Sequence, residues 1–367
     1  MSKTALVVAG GTGGHIFPGL AVAVALRDAG WRVFWLGASG TPTAPSMESQ
    51  LVPPQGFKFE PVKFSGVRGK GLPSLIGLPL RLLRACWQSL RVMRRVNPDV
   101  VLGFGGYITA PAGIVAIILR KALILHEQNS VAGLANRQLA RFADKVYTAF
   151  PNALERARWI GNPLRAEFLK QPDPATRFAS RRGPLRLLVL GGSLGAAGLN
   201  DIVPKALAQM PVASRPLVTH QSGQKQIDQL RANYSAAGVD AELTPFIVDA
   251  AQALADADLV ICRAGASTVT EVAAVGVAAV FVPFPSAVDD HQTTNATFLA
   301  DQNAGWLVQQ TDLTPDRLAR MLTKADRPTL MAAAIAAKKL AKIGATAHIV
   351  AACESRYSKR KSIGGAA

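Results

Sequence analysis

The chain has 367 residues, 49% of them hydrophobic, and a formal net charge of +17. Its length exceeds one ordinary domain and sets two as the expectation, while no apolar run reaches the ~18–20 residues of a membrane span. Three scattered cysteines (Cys86, Cys262, Cys353) and five scattered histidines argue against a disulfide framework and a zinc cluster, so a protein without a structural metal is expected. The opening "MSKTALVVAGG" enters a strand without a signal-peptide layout, which reads as cytoplasmic. The charge is uneven. Residues 1–150 hold 17 Lys and Arg against 6 Asp and Glu, and Lys63 to Arg95 holds eight basic residues and no acid. Such a field attracts polyanions: nucleic acid, anionic lipid or phosphorylated substrates.

In chain order, "TALVVA" reads as a buried parallel strand, followed by "GGTGGHIFPG" with five glycines and by a helix, "PGLAVAVALRDAG", ending at Gly30. Next come the strand "RVFWLGA" and the strands "PDVVLGFGG", "KALILHEQN" and "DKVYTAF", with helical stretches between them. Short apolar runs alternating with helices point to a parallel sheet covered on both faces. After a Pro- and charge-rich linker, "GNPLRAEFLKQPDPATRFASRRG", the pattern restarts with "LRLLVLGGSLGAAGLNDIVPKALAQM". "RPLVTHQSG", "AELTPFI", "DLVICRAGAS" and "AAVFVPFP" continue it. The loop Gly191 to Ala196 holds the same place in its half as Gly10 to Gly19 does in the first. Neither matches GxGxxG or a P-loop, which argues against a dehydrogenase or an NTPase. Either loop alone reads equally as a tight turn or as a helix N-terminus that binds anionic groups. Two in register favour a cleft between two domains.

Several stretches carry polar chemistry at strand ends, where α/β sheets bind ligands. In "ICRAGASTVTEVAAVG", Ser267 and Thr268 stand where N-cap hydroxyls and free amides would face a diphosphate, and Glu271 could accept from both ribose hydroxyls. The competing reading is a Thr268–Glu271 capping box. "PFPSAVDDHQTTNA" brings His291, Gln292 and Asn295 to a helix start. "LILHEQNSVAGLANR" sets His126, Glu127, Gln128 and Asn129 at a strand end, or is a polar loop capping the next helix. His15 is either a satisfied helix-start histidine or a base or phosphate contact. Asp256 and Asp258 in "DADL" match Asp-x-Asp in letters, but belong on a helix before "LVICR". In the basic segment, Leu82, Leu83, Cys86, Trp87, Leu90 and Met93 fall at helical spacing, with Arg84, Arg91 and Arg95 mostly on another face. That is a core helix with a solvated side. The preceding "LPSLIGLPL" is harder to bury, and a shallow dock on anionic lipid is the preferred reading, through Leu75, Ile76, Leu78, Arg81 and Arg84. The basic end "RYSKRKSIGGAA" reads as a frayed tail.

The motifs "GGTGGHIFP", "GVRGKG", "GFGGY", "HEQN", "GNPLR", "LGGSLGA", "CRAGASTVTE" and "HQTTNA", in this order from Gly10 to Ala296, resemble those of the MurG family of UDP-N-acetylglucosamine transferases. The resemblance implies an α/β fold of the GT-B type, two Rossmann-like doubly wound parallel-sheet domains facing across a cleft. It implies an acceptor domain over 1–162, a UDP-sugar domain over 163–345, and a helix and tail over 346–367 packing back on the first. The implied reaction inverts the donor sugar: N-acetylglucosamine moves from its UDP donor to the C4 hydroxyl of the muramyl sugar of lipid I, giving lipid II. Ser193, Ile247, Ala266, Ser267, Thr268, Val269, Thr270, Glu271 and Gln292 would hold the donor, with the Ile247 backbone on uracil and Glu271 on ribose. Thr12, Gly13, Gly14, Asn129 and Arg165 would complete that site, and His15 and Glu127 are candidate bases. No cofactor and no obligatory metal are implied. The implied partners are the nucleotide sugar, lipid I and an anionic membrane surface, with no nucleic acid and with room for cell-wall synthesis and division proteins. The implied location is peripheral, on the cytoplasmic face of the bacterial cell membrane. Rival readings are another GT-B glycolipid transferase or UDP-sugar epimerase, and a non-catalytic membrane or nucleic-acid module. The basic stretch has few aromatics for base stacking.

Overall fold

A computed structural model describes residues 3–41, 43–64, 77–192 and 195–364. The chain forms two compact units, Met1–Arg165 together with Ile343–Ala367, and Ala166–Lys342.

The first unit is built on a seven-stranded parallel sheet ordered β5-β2-β1-β6-β7-β8-β9. Its strands are β1 (Thr4–Val8), β2 (Arg32–Ala38), β5 (Lys58–Val62), β6 (Val100–Gly103), β7 (Ala122–Glu127), β8 (Lys145–Thr148) and β9 (Arg158–Trp159). A two-residue ribbon, β3 (Gly40–Thr41) and β4 (Ala44–Pro45), stands apart. The helices are α1 (Gly13–Asp28), α2 (Met47–Leu51), α3 (Leu78–Val96), α4 (Thr109–Ile118), α5 (Leu134–Leu139) and, from the C-terminal segment, α15 (Ala345–Gly364). All five residues of β1 are buried. Alternation divides them between two faces: Ala5 and Val7 pack with α1 and α15, Leu6 and Val8 with α3, α4 and α5.

The reading of "RYSKRKSIGGAA" as a frayed tail is corrected: α15 is helical to Gly364 and Tyr357 packs against the core, and in the part of α15 before that stretch Ala345, Ile349, Ala352 and Cys353 are core residues. Glu354 accepts from Lys3 Nζ at 2.7 Å and from Trp31 Nε1 at 2.7 Å, and Arg356 pairs with Asp144 at 2.9 Å. Lys3 and Trp31 come from the other end of the sequence and Asp144 from its middle, so composition alone conceals these pairings.

The apolar stripe expected on residues 82–93 is corrected too. Helix α3 buries Ala85, Ser89, Val92, Met93 and Val96, a seam of mostly small or branched side chains that lets α4 pack close. Leu80 (77% exposed), Leu83 (67%) and Trp87 (52%) face outward with Arg84 and Arg91. The Arg91 guanidinium lies 4.0 Å from the Trp87 ring centroid.

The second unit has a six-stranded parallel sheet ordered β12-β11-β10-β13-β14-β15. The strands are β10 (Arg186–Leu190), β11 (Leu217–Gln221), β12 (Glu242–Thr244), β13 (Leu259–Cys262), β14 (Ala278–Phe281) and β15 (Trp306–Leu307). Short helices α6 (Ala166–Leu169) and α7 (Pro174–Ala179) precede it. Then come α8 (Ala197–Ala208), α9 (Ile227–Ala237), α10 (Ala250–Asp256), α11 (Ala266–Val275), α12 (His291–Ala300), α13 (Pro315–Lys324) and α14 (Arg327–Leu340). Leu187 and Val189 of β10 share a core with residues of α8, α9, α13 and α14.

Asp258 follows α10 rather than lying on it, and it is fully buried. Its carboxylate accepts from Arg181 at 2.6 Å, from Arg327 at 3.2 Å and from the Arg186 amide at 2.9 Å. The second aspartate of "DADL" is thus an anchor joining the segment after α7, the start of β10 and the start of α14. Removing one member of a buried ion pair strands the others in a dry site. Asp258→Ala should lower the unfolding free energy by about 3–5 kcal/mol, read by urea denaturation.

Each unit also buries a neutral histidine at a strand end. Burial pushes His126 down to about 4, opposed by its hydrogen bond to the Gly161 carbonyl, and pushes His220 down to about 3. An unfolded histidine titrates near 6.5. Below that pH the unfolded chain takes up protons that the folded chain refuses, so stability falls as pH falls from 6.5 towards 4. At about pH 4.5 the loss should be roughly 2–3 kcal/mol per histidine. Denaturation at two pH values checks this, and His220→Gln should make the dependence shallower.

Candidate active site

In the first unit the glycine loop follows β1. A β-carbon on Gly10 would overlap Glu48 Oε1, and one on Gly106 would overlap the Gly10 carbonyl oxygen. Bare backbone is required there because the loops after β1 and β6 touch. Glu48 is fully buried and accepts from the Gly11 amide at 3.3 Å and the Ala38 amide at 3.0 Å. Thr12 is the N-cap of α1 but does not cap it. Its Oγ1 instead lies 3.1 Å from His15 Nδ1. Gly13 and Gly14 open the helix, where amides precede the first intrahelical acceptor. Phe17 packs on Gly13, and the Arg165 guanidinium lies 5.3 Å from the Phe17 ring centroid.

The His15 ring lies on Gly105, which has φ +88°; a β-carbon there would sit 2.9 Å from His15 Cδ2 and 3.4 Å from Asn136 Nδ2. Asn136 in turn donates to Glu127 Oε2 at 2.9 Å. The structure therefore gathers His15, Gly105, Asn136 and Glu127 at one place. Glu127 is nearly inaccessible, and both its oxygens are engaged. Oε1 accepts from the Asn129 amide at 2.9 Å and Asn129 Nδ2 at 3.4 Å; Oε2 accepts from the Gly133 amide at 3.1 Å as well as from Asn136. The carboxylate holds the 128–136 loop in shape. His126 lies 2.9 Å through Nε2 from the Gly161 carbonyl and 3.0 Å through Nδ1 from Gln128 Nε2. Kept neutral by burial, it donates from Nε2 and accepts at Nδ1.

In the second unit Ser193 lies outside the described residues. On either side of it, Gly192 (φ +81°) and Gly195 (φ +78°) take left-handed backbone. Ile247 is half-buried after β12. The N-cap of α11 is Gly265 and the helix starts at Ala266, so Thr268 is its third residue and the Thr268–Glu271 capping box is not formed. The amides of Ala266, Ser267 and Thr268 precede the first intrahelical acceptor. Ser267 Oγ is buried without a hydrogen-bond partner. Val269 belongs to the core and its amide donates to the Gly265 carbonyl at 3.0 Å. The Thr270 hydroxyl donates back to Ala266 O (2.8 Å) and Ser267 O (3.0 Å). Glu271 stands one turn further, close enough that its charge adds to burial in holding the Cys262 thiol protonated. Gln292 Oε1 accepts from the Ala264 amide at 3.3 Å and the Phe284 amide at 2.9 Å, and Asn295 donates to the Ala264 carbonyl at 3.1 Å. Gln292 thus braces the turns after both β13 and β14, and Asn295 the turn after β13. Gln292 keeps its Nε2 hydrogens for other acceptors.

Glu48, Asn136 and Arg263 escaped the sequence reading. Arg263 donates to the carbonyls of Val282 (3.1 Å) and Pro283 (3.0 Å) and to Gln310 (2.6 Å). Only its place beside the "AGAS" turn signals it. Glu48 has no local signal, since its partners lie in other segments.

Comparison with known proteins places these features in a family. Residues 5–148 match the glycosyltransferase family 28 N-terminal domain and residues 186–349 its C-terminal domain. The UDP-N-acetylglucosamine–N-acetylmuramyl-(pentapeptide) pyrophosphoryl-undecaprenol N-acetylglucosamine transferase of Albidiferax ferrireducens is 71% identical over 96% of this chain and 90% of its own length. The protein of the same name from Cupriavidus metallidurans is 59% identical over 98% of this chain and 99% of its own. The crystal structure of Acinetobacter baumannii MurG, 40% identical, superposes with a TM-score of 0.82 over 96% of this chain and 99% of that one. The calicheamicin glycosyltransferase CalG4, at 16% identity and a TM-score of 0.66, shares the fold over 98% of this chain and 99% of its own. The chain belongs to glycosyltransferase family 28 and, within it, to the MurG family.

Proposed function

We infer that the chain transfers N-acetylglucosamine from its UDP donor to lipid I, forming lipid II. The observation that carries this is the 71% identity, across 96% of the chain, to a transferase of that name. Incubation with UDP-N-acetylglucosamine and a lipid I analogue should yield the disaccharide product; a wild-type protein that binds UDP but forms none would refute the assignment.

In this reading the second unit holds the donor. The first-turn amides of α11 and the loop carrying Ser193 face the diphosphate, where a helix N-terminus stabilises the charge that builds on departing UDP. Glu271 takes the ribose hydroxyls, the Ile247 backbone the uracil, and Gln292 Nε2 a sugar hydroxyl. Val269 and Thr270 shape the turn from behind, since the Thr270 hydroxyl is already bonded within the helix. The acceptor C4 oxygen attacks the donor's anomeric carbon as the bond to the UDP oxygen breaks, which inverts that carbon. His15 takes the C4 proton at Nε2 in the tautomer whose Nδ1–H donates to Thr12 Oγ1. Glu127, with both oxygens committed, acts through Asn136 and the 128–136 loop as a positioning residue. General-base catalysis is worth about 10²–10⁴-fold. His15→Ala should therefore lower kcat at least about 100-fold while UDP affinity changes less than about twofold. Parallel losses of rate and UDP affinity would make His15 a binding residue.

The outward face of α3 supports a peripheral dock. No helix among the described residues is long and apolar enough to cross a membrane. Leu80, Leu83 and Trp87 are nevertheless exposed among Arg84 and Arg91, and Ile118 on the packed neighbour α4 and Phe142 beyond α5 are exposed as well. Leu78 and Arg81 begin this helix half-buried, and Leu75 and Ile76 lie outside the described residues. Apolar burial at ~25 cal/mol per Å² and about 1 kcal/mol per basic residue near an anionic surface favour adsorption without a span. Leu83→Ser with Trp87→Ser should abolish most binding to anionic vesicles and activity on membrane-embedded acceptor. Activity on a short-chain soluble acceptor should survive. Vesicle binding equal to wild type would move the dock elsewhere.

A further inference from the structure

Gln221 ends β11 and is 4% exposed, yet its side chain does not pack as core. Its Oε1 accepts from the Gly192 amide at 3.2 Å, and its Nε2 donates to the Gly192 carbonyl at 3.0 Å. This is the two-point pairing a neighbouring strand would give, supplied by a side-chain amide. The same Nε2 donates to the Pro245 carbonyl at 3.1 Å. Backbone contacts reinforce the arrangement: the Gly191 amide donates to Gln221 O at 3.3 Å, and Ser222 N donates to Thr244 O at 3.0 Å. Gly195 closes the loop on the other side, where a β-carbon would overlap the Ser222 carbonyl oxygen. Asn200 then ties Ser222 O (3.2 Å) and Gln226 (2.8 Å) to His220 (3.1 Å) in the buried interior. One side chain thus spans from the glycine loop after β10 to the segment leading into Ile247 after β12.

We propose that Gln221 is a positioning residue that sets the distance between the diphosphate-binding loop and the base-binding segment of the donor site, so that a nucleoside diphosphate is gripped at both ends at once. The proposal rests on the donor-site assignment given above. Two half-sites joined through one ligand gain affinity only if their spacing matches the ligand's span. A buried amide with both ends of its hydrogen-bonding group satisfied fixes that spacing rigidly. Uridine, which engages one half-site, has no use for the spacing. UDP depends on it.

The test compares UDP with uridine by calorimetry on the full-length protein, with Gln221→Met as a near-isosteric variant lacking the amide. UDP affinity should fall about tenfold or more and uridine affinity less than about threefold. The KM for UDP-N-acetylglucosamine should rise by the same factor as the UDP loss, with kcat at saturation nearly unchanged. Gln221→Glu keeps an acceptor for the Gly192 amide but loses both donated bonds; it should show the same selective loss, and it serves if the methionine variant does not fold. Equal losses for UDP and uridine, or none, would overturn the proposal. A wild-type protein that binds neither ligand would instead overturn the donor-site assignment on which it stands.

Discussion

The central strands of both sheets have no free face. Leu6 and Val8 of β1 press on one helical layer while Ala5 and Val7 press on another, and β10 lies buried in the same manner. A parallel sheet sealed on both sides leaves its polar chemistry at the carboxyl ends of its strands. That constraint organises everything else. At the carboxyl ends of β1, β6 and β7 stand Thr12 and the start of α1 to His15, Gly105, and Glu127 as the last residue of β7; at those of β10 to β14 stand Gly192, Gln221 as the last residue of β11, Ile247, Gly265 and Phe284. Backbone crowds there, so the glycines at 10, 106 and 195 sit where a β-carbon would strike a neighbouring segment.

Crowded strand ends need their own scaffolding, since no sheet ladder continues past them. Polar side chains provide it by bonding to main chain. Glu48 and Glu127 each gather two backbone amides, Gln292 gathers two more, and Gln221 pairs with both backbone groups of Gly192. Such groups are buried and would be costly if unpaired, so their satisfaction fixes the loops in one geometry. The same economy changes how particular residues are read. A carboxylate that already accepts four hydrogen bonds is a frame for its neighbours before it is a base.

The parallel strands and the two glycine loops were legible because they are local signals: apolar runs of four to seven residues, then glycine, then a helical period. Strand-end placement of "HEQN" and "AGAST" followed from the same reading. What stayed hidden depends on distant partners. Glu48 meets Gly11 across 37 residues, and Lys3 meets Glu354 across 351. Helical spacing on residues 82–93 correctly indicates a helix, but its buried seam is chosen by α4, whose contact selects Ala85 and Ser89 over Leu83 and Trp87. Thr268 and Glu271 match a capping box in letters, but the helix is capped three residues earlier, at Gly265.

The seating of α15 has a consequence for the order in which the protein is made. The first unit's core contains Ala345, Ile349, Ala352 and Cys353, which leave the ribosome after the whole of the second unit, Ala166–Lys342. Domains fold as units when their residues are available. During synthesis the second unit can reach its native state first, while the α1 side of the first waits half-covered, with Trp31 and Lys3 lacking the carboxylate they share. The N-terminal half of this chain is thus the last to be finished, and a nascent chain stopped short of Ala345 carries an uncovered apolar face of the kind that chaperones and proteases recognise.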